Sequence, residues 1–75
     1  MNSPVVLVVE DQALIGLSIE AFLEEAGYTV AGPFASNAEA LAWLDGERPA
    51  AAVLDLGLRD GLSTGLAQEL RRRGI

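Results

Sequence analysis

The sequence predicts an α/β fold in which strands and helices alternate along one small domain, in the order β-α-β-α-β-α. Two apolar runs, Val5–Val9 and residues 51–56, show no alternation of apolar and polar residues, which is typical of strands buried on both faces of a parallel sheet. The segments that follow them carry apolar residues at helical spacing. Strands separated by helices imply right-handed crossovers, and a chain of 75 residues leaves room for one such domain.

The first helix and the second strand follow from the pattern after Val9. Residues 12–26 carry apolar side chains at i, i+4 and i+7 spacing, which predicts a helix with one sheet-facing stripe. The residues of this stripe are Ile15, Ile19, Phe22, Leu23 and Ala26. Gly27 is suited to the left-handed conformation that ends many helices. Residues 28–30 then predict the second strand, which we expect to end near Gly32 and Pro33.

The second helix has a clear start signal. Ser36 is a good N-cap, and Glu39 three residues later completes a capping box. Ala40, Leu41 and Leu44 are expected to form the inner face of this helix. Trp43 flanks that face, and we expect it to be partly packed rather than to serve as a platform for a ligand.

The last part of the chain predicts a strand, a turn and a helix. Residues 51–56 form the third strand, and "GLRDG" at residues 57–61 reads as a turn. A third helix is expected over residues 63–73, with Leu62, Leu66 and Leu70 as its apolar stripe. Three arginines at residues 71–73 would then lie at the carboxyl end of this helix, where cations complement the helix dipole.

Composition excludes several kinds of function. The net charge is −6, with eleven acidic residues against five basic ones, which argues against a nucleic-acid partner. The chain has no histidine and no cysteine, so imidazole chemistry, thiolate metal sites and disulfides are excluded. We find no signal peptide and no apolar stretch long enough to span a membrane, so we expect a soluble cytoplasmic protein with no membrane contact.

Three acidic residues stand at the ends of two predicted strands. Glu10 and Asp11 follow the first strand directly, and Asp55 lies near the end of the third in "AAVLDLGL". Functional residues of parallel α/β sheets gather at the carboxyl ends of the strands, so neighbouring first and third strands would bring these carboxylates together. Carboxylates at such close range either hold protons or hold a cation, and an all-oxygen site suits Mg²⁺. The alternative is that each acid is only a solvated loop residue or a helix cap.

Three motifs resemble the receiver domain of bacterial two-component response regulators. They are "VLVVED", "EEAGYTV" and "AAVLDLGLRDG", in matching order and spacing. The resemblance covers the whole chain but only the N-terminal part of such a domain, so we interpret residues 1–75 as a receiver domain truncated after its third helix. It implies a flavodoxin-like parallel sheet with strand order 2-1-3.

The resemblance also implies roles for four residues. Asp55 would be the phosphoacceptor, a carboxylate nucleophile that forms an acyl phosphate. Asp11 and Asp55 would bind Mg²⁺ directly, Glu10 would bind it mainly through water, and the backbone carbonyl of Gly57 would be a further ligand. The implied partner is a sensor histidine kinase or a phosphotransfer protein. On this interpretation the chain is a signalling domain with self-directed phosphotransfer chemistry and not an enzyme.

The sequence also departs from the family pattern. The receiver Ser or Thr after the fourth strand and the Lys after the fifth are not among these residues, and Arg59 stands where a proline is usual. A Toprim-like Mg²⁺-dependent phosphodiester enzyme is an alternative, although that family has two acids one residue apart where Asp55 stands alone. A non-phosphorylated interaction module is another. We also expect the chain to self-associate through its third strand and first helix, as a homo-oligomer.

Overall fold

The computed structural model describes residues 3–75 and has an α/β fold, as the sequence predicts. Three strands form a parallel sheet in the order β2-β1-β3, which confirms the predicted order, and two further short strands form an antiparallel hairpin. The elements in chain order are β1 (Val5–Val9), α1 (Ala13–Glu25), β2 (Thr29–Phe34), α2 (Asn37–Leu44), β3 (Ala51–Leu54), β4 (Gly57–Leu58), β5 (Gly61–Leu62) and α3 (Thr64–Arg72). Over residues 3–75, no helix combines the length and the apolar character needed to cross a bilayer.

Strand β1 is the centre of the sheet and of the core. Leu7, Val8 and Val9 are completely buried, so consecutive side chains on both faces of the strand are covered. Leu7 and Val9 face a cluster supplied by α2, α3 and the hairpin, whose buried members are Ala40, Leu44, Leu58, Leu66 and Leu70. Val6 and Val8 alternate with them and lie on the opposite face, where α1 packs. The unbroken apolar run of β1 therefore reflects burial on both faces.

The predicted sheet-facing stripe of α1 is partly wrong. Ile15 is 45% exposed and Phe22 is 73% exposed, whereas the buried residue of the helix is Gly16. A β-carbon at Gly16 would lie 3.0 Å from Cβ of Pro33, so the missing side chain lets the helix approach β2 closely. This contact turns the helix so that Gly16, Ile19 and Leu23 face the sheet, and Phe22 falls outside the contact.

Strand β2 ends at Phe34, close to the predicted end near Gly32 and Pro33. It can contain Pro33 because β2 is an edge strand, and an edge tolerates a proline that cannot donate to a ladder. Its register with β1 shifts between Leu7 and Val9, so that Val9 is paired with Phe34. Gly27 has a φ of +97°, as the predicted helix ending requires.

The capping box at the start of α2 is present with one difference. The Ser36 hydroxyl accepts a hydrogen bond from the Glu39 backbone N–H at 3.1 Å, as predicted. The Glu39 carboxylate accepts from the N–H of Ala35 at 2.9 Å, one residue before the cap. Ala40 is buried as expected, but Leu41 is exposed, because this short helix meets the core along a narrow face. Trp43 is partly buried against Phe34, with ring centroids 6.4 Å apart.

The segment after β3 differs most from the prediction. The third strand ends at Leu54 rather than at Leu56, and the predicted turn is a small hairpin formed by β4 and β5. Leu62 belongs to β5 and is exposed, so the buried stripe of α3 consists of Leu66 and Leu70. Pairing of Gly57 with Leu62 accounts for the change at Leu62, because it holds this residue in the hairpin and away from the stripe of α3.

Candidate metal centre

The carboxyl ends of β1 and β3 bring the three predicted acids together. These strands are parallel neighbours and pair Val9 with Leu54, so the residues that follow them emerge at the same edge of the sheet. The backbone N–H of Asp55 donates to the carbonyl of Val9 at 2.9 Å, and the N–H of Glu10 donates to the carbonyl of Phe34 at 2.8 Å. Backbone hydrogen bonds to the sheet therefore fix two of the three acids, Glu10 and Asp55.

We call Glu10, Asp11 and Asp55 the acidic cluster. One carboxylate oxygen of each residue lies within 4.8 Å of the others. Two oxygens on opposite sides of one ion are about 4.2 Å apart for Mg²⁺ and about 5 Å apart for Ca²⁺, from their ligand distances. The acidic cluster is therefore of a size that can hold a divalent metal ion, and a small rotation or one water-mediated ligand brings it into the Mg²⁺ range.

Electrostatics within the acidic cluster are unfavourable without a cation or a proton. Two unit charges about 4 Å apart repel by about 4 kcal/mol at an effective dielectric of about 20. Glu10 is only 8% exposed. Its pKa is raised above the ordinary value of 4.5, first by the side-chain hydrogen bond with Asp55, then by desolvation and by the charge of Asp55. One of its carboxylate oxygens also accepts a hydrogen bond from the N–H of Asp11 at 3.1 Å. This bond lowers the pKa of Glu10 and so opposes part of the increase.

Ser63 supports Asp55 in a way that the sequence pattern does not reveal. It precedes α3 and was expected to start that helix, but its hydroxyl makes no helix cap. Instead the hydroxyl donates to the backbone carbonyl of Asp55 at 2.6 Å, and Ser63 is 4% exposed. The N–H of Ser63 also donates to the carbonyl of Leu56 at 2.9 Å. These two bonds fasten the consecutive carbonyls of Asp55 and Leu56 to the start of α3.

A cavity of about 270 Å³ opens beside the acidic cluster. Glu10 and Asp11 form its acidic side, and Leu17 and Pro33 contribute apolar walls. Arg59 also lines the cavity and brings the one basic side chain among its walls. Arg59 lies four residues after Asp55 in the sequence, but this spacing alone does not show that the residue lines the cavity.

Gly57, the fourth predicted site residue, is the first residue of β4 and is exposed. It lies two residues beyond Asp55, and its pairing with Leu62 fixes the local backbone. Its role as a carbonyl ligand of the metal stays a prediction.

No protein-family model, curated protein or solved structure matches the chain. The resemblance to receiver domains therefore stays a prediction from sequence motifs.

Proposed function

We propose that this chain is a receiver-type signalling domain that accepts a phosphoryl group on Asp55, with Mg²⁺ held by the acidic cluster. One observation carries the proposal: carboxylates from the ends of two adjacent parallel strands converge, and two of them, Glu10 and Asp11, line an open cavity. The oxygen-only donor set suits Mg²⁺, which prefers one or two carboxylates together with waters and phosphate oxygens. The phosphoryl donor would be a sensor histidine kinase, a phosphotransfer protein or a small acyl phosphate.

The reaction requires a nucleophile that approaches phosphorus in line with the leaving group. A carboxylate oxygen of Asp55 forms the new bond to phosphorus, and the bond from phosphorus to the donor atom breaks. The leaving group departs with that electron pair, so acetyl phosphate would yield acetate and an aspartyl phosphate. When bound, Mg²⁺ supplies positive charge that offsets repulsion between an anionic nucleophile and an anionic donor.

The chain's own contribution is to hold Asp55 in place. Its backbone is tied to Val9 on one side and to Ser63 on the other, so its side chain projects from a fixed position toward Glu10. Because the pKa of Glu10 is raised, protons and metal ions compete for the acidic cluster. Metal affinity should therefore increase with pH as Glu10 loses its proton.

Magnesium titration of the wild type and of Asp11→Ala tests the metal site. We expect weak saturable binding in the wild type, and its loss in Asp11→Ala, because the substitution removes a direct ligand. Chemical-shift changes at the amides of residues 10, 11 and 55 would report the site. Asp45→Ala is a matched control, because Asp45 is an exposed acid at the end of α2. Equal affinity in Asp11→Ala and the wild type would refute the proposed site.

Phosphorylation is tested separately with acetyl phosphate and Mg²⁺. We expect slow, incomplete labelling, since the chain has no lysine to pair with the phosphoryl group. Asp55→Asn should abolish the mass increase, because the amide is not a nucleophile of this kind. Labelling that persists in Asp55→Asn would assign the phosphoacceptor to another residue.

A further inference from the structure

We infer that Arg59 is the residue that binds the anionic ligand of this site, a phosphoryl-type oxyanion that enters the cavity beside the acidic cluster. The inference rests on the proposed function, since an anion enters an acidic site only when a cation is bound there. It adds a ligand-binding residue outside the three carboxylates and the Gly57 carbonyl.

Arg59 is the basic residue of a cavity that is otherwise lined by acidic and apolar residues. A space of about 270 Å³ has Glu10 and Asp11 on one side, apolar residues on others, and Arg59 as its basic wall residue. A ligand in this space is therefore bordered both by two members of the acidic cluster, Glu10 and Asp11, and by Arg59. Guanidinium groups bind phosphate oxygens through two parallel N–H bonds, which fixes orientation as well as charge.

Hydrogen bonds to the start of α2 hold the backbone around Arg59 in place. Arg59 and Asp60 form the turn between β4 and β5, and Asp60 anchors that turn to the start of α2. The Asp60 carboxylate accepts from the N–H of Asn37 at 2.8 Å and from the N–H of Ala38 at 3.0 Å. The N–H of Arg59 donates to the carbonyl of Ala35 at 3.4 Å. The backbone of the turn is thus held on both sides of the Arg59 side chain.

The Arg59 side chain is available to pair with a ligand. It makes no hydrogen bond and no ion pair with any residue from 3 to 75, whereas Arg72 and Arg73 both pair with Glu69. With all three carboxylates ionised, a divalent ion still leaves one formal negative charge in the acidic cluster. Arg59 offsets that remaining charge, so the cavity no longer repels an anion.

Arg59→Gln tests this assignment, with Arg71→Gln as the control. Both variants remove one positive charge, but Arg71 is exposed on α3 and lines a different groove, beside β3. Inorganic phosphate is titrated at saturating Mg²⁺, and binding is followed by amide chemical shifts. We expect phosphate affinity in Arg59→Gln to fall at least about tenfold, the loss typical of a hydrogen bond to a charged group. Arg71→Gln should match the wild type, and Arg59→Lys should be intermediate.

Magnesium affinity, measured before phosphate is added, separates the two proposals. We expect Arg59→Gln to bind Mg²⁺ as tightly as the wild type or more tightly, because the variant removes a positive charge near the ion. Wild-type phosphate affinity in Arg59→Gln, or a wild type that binds Mg²⁺ but no phosphate, would overturn the role of Arg59 and leave the metal site intact. A wild type that binds no Mg²⁺ would overturn the proposed function and this inference with it.

Discussion

Glu10 has an environment that favours its protonated form. The side-chain hydrogen bond with Asp55 and the burial of Glu10 raise its pKa in the fold above 4.5. For an acid whose folded pKa is raised, the stability gained is complete below the unfolded pKa and is lost as pH rises through the folded pKa. Without metal, the ionised Glu10 therefore lowers the free energy of unfolding at neutral pH. A bound cation would remove that penalty.

Glu10→Gln should accordingly raise the melting temperature of the metal-free protein at pH 7, because a neutral amide replaces a buried charge beside Asp55. At pH 4, below the unfolded pKa of 4.5, the difference should largely vanish. Thermal unfolding at both pH values measures this, with the exposed Glu47→Gln as the control. A Glu10→Gln variant less stable than the wild type at pH 7 would contradict the conclusion that ionised Glu10 destabilises the metal-free fold.

The residues of the candidate site could be predicted in part from the sequence. The acidic cluster was predicted from strand-end positions, because a parallel sheet places such residues at one edge whatever their side chains do. The contribution of Ser63 was not predicted, since a serine before a helix normally indicates an N-cap. The place of Arg59 in the cavity depends on the β4–β5 hairpin: local sequence signals predicted a turn at residues 57–61 but not the two short strands that flank it.

Gly32 shapes the part of β2 that supports Glu10. Its φ is +104°, a conformation that residues with a β-carbon rarely adopt, and a β-carbon there would lie 2.5 Å from the carbonyl oxygen of Val8. The register shift at this point brings Phe34 opposite Val9, and the Phe34 carbonyl accepts the Glu10 N–H. The shape of this strand segment therefore positions one member of the acidic cluster.

We expect Gly32→Ala to lower the free energy of unfolding by at least about 1–3 kcal/mol, the usual range for one residue held in a disfavoured backbone conformation. Overlap with the Val8 carbonyl adds to this cost. Gly46→Ala is the matched control, because a β-carbon there meets nothing within 4 Å. Denaturant unfolding compares the two variants. Equal stability would refute the conclusion that the backbone conformation at Gly32 excludes a β-carbon. Weaker Mg²⁺ binding should accompany the loss in Gly32→Ala.

Helix boundaries were predicted correctly because they depend on neighbouring residues. The face that a helix presents to the sheet was predicted less well, because it depends on contacts between elements that are distant in the sequence. Ser36 and Gly27 were correctly assigned as helix boundaries, because capping depends on residues within one turn. The contact face of α1 was partly wrong, because the Gly16–Pro33 contact joins two elements. The apolar stripe alone favoured Phe22, which lies outside that contact.

The two edges of the sheet differ in how well they resist pairing with another chain. β2 carries Pro33 and a register shift, both of which discourage a further strand. β3 has one strand neighbour in the part of the chain that the structure describes, and its residues are uncharged and partly exposed. A groove of about 330 Å³ runs beside β3, with Leu54 and Leu70 among its apolar walls and Arg71 as its basic residue. This edge is suited to a second strand.

We therefore expect the 75-residue chain to self-associate by antiparallel pairing of two β3 strands. Asp55 follows the last residue of each strand, so antiparallel pairing separates the two carboxylates, whereas parallel pairing would place these like charges side by side. Ala51→Lys should shift the chain toward monomer in light scattering at micromolar concentration, because a charged edge opposes pairing. The control Ala42→Lys alters an exposed position of α2 and should leave the association unchanged. Leu17→Lys, on the exposed face of α1, measures any contribution from the first helix. A folded, monodisperse wild-type monomer would refute the pairing, and equal association in Ala51→Lys and Ala42→Lys would place the interface away from β3.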